Sequence, residues 1–199
     1  MGKNARTVRM SHESEGKKPR TKLVGNRIPR TFFITKGKGQ SDYAVHAGSY
    51  HLALHDAGIE RCNIMQYSSI LPKIADEVEK TEETIDSLVH GSVMDTIMAN
   101  ATAEKGKRAT AGMIFGWLYD KKTNQKYGGI VCEYNGELTE EQCREMLQKN
   151  IQELYENGYS EKFHLEKGKI ITETIVPEKN HGTALVALCF LDYEVPVIE

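Results

Sequence analysis

Two adjacent serines, Ser68 and Ser69, interrupt an apolar run in the segment NIMQYSSILP, residues 63–72. Small hydroxyl residues often hydrogen-bond to the local backbone where strand pairing lapses, so the pair fits a simple turn. A second interpretation is chemical: the Ser69 hydroxyl attacks the Ser68 carbonyl and cuts the chain. A hydroxyl is a poor nucleophile toward an amide, so this reaction requires strain at the carbonyl and a donor for the developing oxyanion.

The serine pair belongs to a longer pattern, which begins at an Ala-Gly-Ile segment and runs through an Asn to a Pro. Its members are Ala57, Gly58, Ile59, Asn63, Ser68, Ser69 and Pro72. Two further segments follow in order, GGIVCEYNG at 128–136 and the apolar GTALVALCFL at 182–191. In order and spacing, over roughly residues 31–191, these segments resemble the pyruvoyl-dependent arginine decarboxylases.

The resemblance implies a mechanism for the serine pair. Attack by Ser69 gives an ester, and β-elimination then separates residues 1–68 from a chain whose head, derived from Ser69, is a pyruvoyl cofactor. Asn63 matches the family's oxyanion donor, and Glu133 matches its proton donor. Apolar neighbours would raise the pKa of the Glu133 carboxyl by desolvation, as a donor near neutral pH requires. Taken alone, Glu133 is better explained as an inert, salt-bridged residue at a strand end, but together with the serine pair the proton donor is favoured.

Substrate recognition is where the sequence departs from the family pattern. The resemblance implies a substrate pocket that includes His51 and Leu54, and at the first of these positions the family carries an acid that grips a guanidinium. A histidine cannot make the bidentate contact of a carboxylate. Arginine, giving agmatine and carbon dioxide, is the leading substrate. The alternatives are an acid supplied by a neighbouring protomer or a different amino acid, with an acidic or imidazole side chain.

Composition excludes several classes of protein. The chain has 199 residues, 39 % of them hydrophobic and 27 % charged, which suits one globular domain. A formal net charge of −2 gives no overall attraction to nucleic acid or membrane. There is no apolar run long enough to span a bilayer. The four cysteines form no CxxC pair or metal-ligand set, so we expect no metal site and reduced thiols in a cytoplasmic protein.

The first thirty residues differ from the rest because nine basic side chains face only two acidic ones. We expect a flexible basic arm at 1–30 and a single decarboxylase-like domain at 31–199. With the Lys36–Gly39 segment, predicted as a loop, the arm offers an alternative function as a non-catalytic anion or nucleic-acid binding module. Nucleic-acid binding is disfavoured because no aromatic residue in the arm is available to stack on bases.

Periodicity and breaker residues predict the remaining elements. Ser41 and Asp42 are predicted to cap a first helix that ends at Gly58, and Thr139 to cap a long helix ending at 157–158. An acidic run at 76–86 is predicted to be a solvated loop or sheet edge. The predicted strands are 31–35, 62–66, 70–71, 88–102, 109–119, 127–134, 169–176 and 183–191, with the last two paired to each other. The order indicates an α+β fold. The resemblance implies a layered αββα sandwich of mainly antiparallel strands, self-cleaved into two chains and assembled as a trimer with active sites between neighbours.

Overall fold

The computed structural model describes residues 24–197, which form eleven strands and a few helices. The strands are β1 (Ile28–Pro29), β2 (Thr31–Ser41), β3 (Asn63–Gln66), β4 (Ile70–Pro72), β5 (Asp76–Glu77), β6 (Val93–Glu104), β7 (Ala109–Asp120), β8 (Lys126–Gly136), β9 (Phe163–Ile175), β10 (His181–Phe190) and β11 (Tyr193–Glu194). The helices are α1 (His51–Ala57), which continues a π-helical stretch at Val45–Tyr50, α2 (Glu82–Asp86) and α3 (Glu140–Gly158).

Two mainly antiparallel sheets form the body of the domain. The larger has the strand order β3-β6-β10-β2-β5, and the smaller has the order β4-β8-β7-β9. Among the strands of residues 24–197, only β3 with β6 and β2 with β5 pair in parallel. The α+β prediction with mainly antiparallel strands is confirmed.

The sheets pack face to face, and one helix covers the outer face of each. The core between the sheets includes Phe32, Ile97, Phe115, Val131 and Leu188. Helix α1 packs on the larger sheet through Ala53, Leu54 and Ala57. Helix α3 packs on the smaller sheet through Cys143, Leu147 and Ile151, which recur every four residues on one face of the helix. The order of layers is therefore helix, sheet, sheet, helix.

Strand β2 corrects the prediction of a Lys36–Gly39 loop, because it runs unbroken to Ser41. The glycines of β2 allow the helical segment to pack closely against the strand and do not form a turn. A Cβ at Gly39 would lie 2.5 Å from the carbonyl oxygen of Ser49, and one at Gly37 would collide with the backbone of Ala53. The helical segment can lie this close to the sheet only where side chains are missing.

The first helix also begins later than predicted. Ser41 still belongs to β2, and the helical segment starts at Val45 behind Ala44, which makes no side-chain cap. The Asp42 side chain instead accepts a hydrogen bond from the backbone N–H of Asn180. The predicted end is confirmed, since Gly58 takes a left-handed conformation with φ of 75°.

The predicted pairing of the last two long strands is wrong. Strand β9 pairs with β7 in the smaller sheet, whereas β10 lies between β2 and β6 in the larger one. Strand β10 is central in its sheet and nearly every one of its residues is buried, while β9 lies at the edge of the smaller sheet and is largely half-buried or exposed. The acidic run at 76–86 is exposed for the most part, as predicted, and it contains the edge strand β5 and helix α2.

Most of the predicted basic arm, residues 1–23, lies outside the described residues. Residues 24–30 follow the C-terminal segment: β1 pairs antiparallel with β11, and Val24 bridges to Val197.

Candidate active site

The serine pair lies where the chain crosses from one sheet to the other. Before it, the backbone N–H of Tyr67 donates to the carbonyl of Thr96 at 2.7 Å, continuing the pairing of β3 with β6. After it, the Ser69 carbonyl accepts from the N–H of Val131 at 3.0 Å, at the start of the pairing of β4 with β8. Backbone hydrogen bonds to different sheets therefore hold both sides of the crossing.

Glu133 reaches this crossing from β8. Alternate residues of a strand face opposite ways. Val131 faces the core between the sheets and Cys132 packs toward α3, so Glu133 points to the side between the sheets. The Ser69 hydroxyl donates to the Glu133 carboxylate, with Oγ 2.6 Å from Oε1 and 2.8 Å from Oε2. Two residues that lie 64 positions apart thus meet in one contact.

Burial raises the pKa of the Glu133 carboxyl above its ordinary value, while the hydrogen bond from Ser69 offsets part of that rise. A carboxylate with a raised pKa is a stronger base than an exposed one, and in its protonated form it holds its proton closer to neutral pH. The arrangement can therefore accept a proton from Ser69 Oγ or deliver a proton to a group at the same position.

A three-residue turn is centred on Ser69. The backbone N–H of Ile70 donates to the carbonyl oxygen of Ser68 at 2.8 Å. Asn124 alone among the non-glycine residues at 24–197 has a positive φ, so Ser69 has a negative φ and the turn is of the inverse γ type. The peptide bond between the two serines lies inside this turn.

Asn63 is not brought to the Ser68 carbonyl within the protomer. Its side-chain amide donates to the carbonyl oxygen of Gly91 at 2.9 Å, and its backbone N–H donates to that of Ser92 at 2.8 Å. Along an extended strand, the three residues from Asn63 to Gln66 span about 10 Å. The Asn63 side chain is exposed, and its amide has a second N–H that Gly91 does not use.

His51 and Leu54 lie apart from Ser69 and Glu133. Leu54 is buried between α1 and the outer face of the larger sheet, and His51 is exposed at the start of α1. The larger sheet stands between these residues and the space that Glu133 faces. Within one protomer, the structure therefore gathers Ser68, Ser69 and Glu133 but does not bring in the remaining predicted site residues.

A buried carboxylate beside the crossing was not singled out by sequence reasoning. Asp95 on β6 is 1 % exposed, and its Oδ2 accepts from Tyr193 Oη at 2.6 Å and pairs with Arg27 at 2.7 Å. The Arg27 guanidinium also lies over the Tyr193 ring, 4.9 Å from its centroid. The pKa of the neighbouring Tyr67 hydroxyl is raised by burial and by Asp95. The sequence signal that could have indicated this buried carboxylate is the single acidic residue in the apolar run VMDTIM, residues 93–98.

Other kinds of site receive no support in the part of the chain that is described. Across residues 24–197, no three His, Cys, Asp or Glu side chains cluster as metal ligands would. None of the described helices has the length and apolar character needed to cross a bilayer. Lys36 and Lys38, proposed for an anion-binding loop, both form ion pairs with Glu173, at 3.2 and 3.1 Å.

Comparisons with known proteins identify the family of this chain. Residues 31–195 match the family model described as pyruvoyl-dependent arginine decarboxylase. The pyruvoyl-dependent arginine decarboxylase AaxB of Chlamydia pneumoniae is 31 % identical over 187 residues, covering 85 % of this chain and 94 % of the relative. Pyruvoyl-dependent arginine decarboxylase 1 of Archaeoglobus fulgidus is 30 % identical over 162 residues, covering 80 % and 96 %. This chain belongs to the pyruvoyl-dependent arginine decarboxylase family, a family of carboxy-lyases that work with a pyruvoyl group.

Proposed function

We propose that this chain decarboxylates arginine to agmatine and carbon dioxide after cutting itself between Ser68 and Ser69. The observation that carries the proposal is the contact between Ser69 Oγ and both carboxylate oxygens of Glu133, at 2.6 and 2.8 Å. The substrate comes from the family and from the names of the relatives, which are arginine decarboxylases.

Maturation begins when the Glu133 carboxylate takes the Ser69 hydroxyl proton. Oγ then bonds to the Ser68 carbonyl carbon, the bond from that carbon to the Ser69 nitrogen breaks, and the nitrogen receives the proton from Glu133. In the resulting ester, loss of the Ser69 α-proton expels the Ser68 carboxylate and leaves a dehydroalanine. Addition of one water and release of ammonia convert this residue to the pyruvoyl head of residues 69–199.

The residues around position 69 fit a pyruvoyl group. The group would replace the Ser69 side chain and therefore stand beside the Glu133 carboxyl, with Ile130 and Val131 buried nearby. When present, it supplies the electron sink that allows carbon dioxide to leave the substrate. Glu133, whose pKa is raised by burial, holds a proton and delivers it to the substrate carbon that carbon dioxide has left.

We further propose that the pocket is completed between protomers of a trimer. In one protomer the larger sheet separates His51 and Leu54 from Ser69, so these two residues would contact the substrate in a neighbour's site. The free N–H of Asn63 would likewise be an oxyanion donor in a neighbour's site. Two large apolar side chains near the crossing are exposed in the protomer, Met65 by 54 % and Val93 by 59 %. Exposed apolar side chains of this kind support a surface that a neighbouring protomer covers. Light scattering during gel filtration tests the trimer, and a monomer would contradict it.

His51 keeps the choice of substrate open to experiment. A carbon dioxide assay across the twenty amino acids, run on purified and cleaved protein, identifies the substrate. Turnover of arginine above all others supports the proposal. Preference for an amino acid with an acidic or imidazole side chain would replace arginine while leaving the decarboxylase class intact.

The test of self-cleavage is intact mass spectrometry under denaturing conditions. Wild-type protein is expected to give fragments 1–68 and 69–199, the second with a ketone in place of its terminal amine. Ser69→Ala is expected to stay intact and inactive, whereas Ser87→Ala, a change at the exposed serine that ends α2, is expected to cleave and turn over normally. An intact Ser69→Ala protein with full activity would contradict the proposal.

The domain assignment and cellular location complete the proposal. We propose one catalytic domain at 31–199 and a basic arm before it, with residues 24–30 of that arm held against the C-terminal segment. All four cysteines are free thiols, which suits a reducing compartment, and we propose the cytoplasm.

A further inference from the structure

We propose that the backbone N–H of Ile70 is an oxyanion donor for cleavage of the Ser68–Ser69 peptide bond. The inference rests on the self-cleavage proposed above and assigns a catalytic contact within the same chain. It concerns the precursor, before any pyruvoyl group exists.

The contact on which this proposal depends already exists in the uncleaved chain. The Ile70 nitrogen lies 2.8 Å from the Ser68 carbonyl oxygen, within the 2.7–3.1 Å expected for an oxyanion donor. No other N–H or O–H of residues 24–197 donates to that oxygen. Asn63, the donor expected from the sequence, has its amide on the carbonyl of Gly91.

The N–H of Ile70 is available because it takes no part in sheet pairing. The neighbouring bond of the ladder is made by the Ser69 carbonyl, which accepts from Val131 N–H, while the Ile70 N–H turns back to Ser68. The Ile70 side chain is 55 % exposed, in contrast to Leu71 at 1 %. The contribution of residue 70 is therefore its backbone donor and not a packed side chain.

The Ile70 N–H acts on the Ser68 carbonyl oxygen, whereas Glu133 acts on the Ser69 hydroxyl. As Ser69 Oγ bonds to the Ser68 carbonyl carbon, the π electron pair of that carbonyl moves onto its oxygen, where the Ile70 N–H stabilises the negative charge. Glu133 meanwhile holds the proton from Oγ. The electron pair then returns, the bond from the carbonyl carbon to the Ser69 nitrogen breaks, and the proton passes from Glu133 to that nitrogen.

The donor is positioned in advance because it belongs to the residue that follows the nucleophile. The three-residue turn fixes the distance between the Ile70 N–H and the Ser68 oxygen, so the donor does not have to be reoriented as charge develops. Donors fixed in this way are worth about 100-fold to 1,000-fold in rate. The base and this donor therefore come from the same chain as the bond that is cut, and the Asn63 amide proposed from a neighbouring protomer would be a second donor to the same oxygen.

Removal of the N–H without loss of the side chain tests the proposal. An amide-to-ester exchange at residue 70, made by incorporating the α-hydroxy acid that matches isoleucine, replaces N–H by O. Ile70→Pro also lacks the N–H, and Ile70→Val and Ile70→Ala keep it. Cleavage is followed over time by intact mass spectrometry of freshly made precursor, and fragment masses distinguish cleavage at 68–69 from hydrolysis of the introduced ester at 69–70.

We expect Val and Ala at residue 70 to cleave within a few-fold of wild type, and the ester and Pro variants to be slower by about 100-fold to 1,000-fold. Because Pro also restricts the residue before it, the ester variant is decisive. An ester variant that cleaves at the wild-type rate would overturn the role of Ile70 and leave self-cleavage standing. A wild-type precursor that never cleaves would overturn the proposed maturation together with this inference.

Discussion

Replacement of Glu133 by Gln isolates the role of its charge in self-cleavage. Gln has the same length and can still accept a hydrogen bond from Ser69 Oγ, which lies 2.6 and 2.8 Å from the two carboxylate oxygens. The amide is not basic, however, so it cannot take the hydroxyl proton. Because general base catalysis contributes about 10²-fold to 10⁴-fold, the cleavage rate should fall by that factor, equivalent to about 3–5 kcal/mol of barrier.

Folding and reactivity can be separated in this variant. Burial raises the pKa of the Glu133 carboxyl, which means that the folded site disfavours the charged form, so a neutral Gln should not lower the free energy of unfolding. The assay is the time course of fragments 1–68 and 69–199 by intact mass, alongside urea denaturation. Glu137→Gln is the control because it removes an exposed charge four residues away. A Glu133→Gln precursor that folds and cleaves as fast as wild type would refute Glu133 as the base.

Three further predictions follow from the described contacts. Cleavage requires ionised Glu133, so its rate should increase as pH rises through the raised pKa of this carboxyl. Turnover requires the protonated carboxyl, so its rate should decrease as pH rises through the pKa of Glu133 in the cleaved protein. Opposite slopes of the two rates against pH check this. Gly37→Ala should lower the free energy of unfolding by about 1–3 kcal/mol in urea, since the new Cβ meets the backbone of Ala53; Gly158→Ala, with open space around it, is the control. Tyr193→Phe should cost about 1.5–3 kcal/mol by the same measurement, because buried Asp95 loses a donor at 2.6 Å; Tyr127→Phe, at an exposed ring, should change little.

Local signals in the sequence were sufficient for some elements. Thr139 caps α3 through the backbone N–H of Gln142, as the sequence predicted. Gly37 and Gly39 led to the wrong prediction of a loop for a physical reason. Because they lack side chains, the helical segment can pack closely against β2. In the sequence, glycines that allow close packing look the same as glycines that form a turn. Strand partners were equally hidden, since β9 and β10 follow each other in sequence but belong to different sheets.

The candidate site was predictable only where side chains carry the chemistry. Ser69 and Glu133 were identified through the resemblance to the decarboxylase family, and the structure brings them into contact. The Ile70 N–H could not be found in this way, because every residue except proline carries the same backbone donor and only the turn directs it. Asn63 shows the reverse case, since its residue type suits an oxyanion donor while its contacts in the protomer lie elsewhere.

The hydrogen bond from Ser69 to Glu133 has a consequence for the order of events. That bond lowers the pKa of a carboxyl that burial raises, so it favours the ionised form while the chain is intact. The proposed maturation consumes the hydroxyl and so removes this bond, after which the buried carboxyl would bind a proton more tightly. The proposed cleavage would thereby convert a single glutamate from proton acceptor to proton donor. Activation by this route would be self-timed and irreversible, and it would need no additional residue to switch the charge of the site.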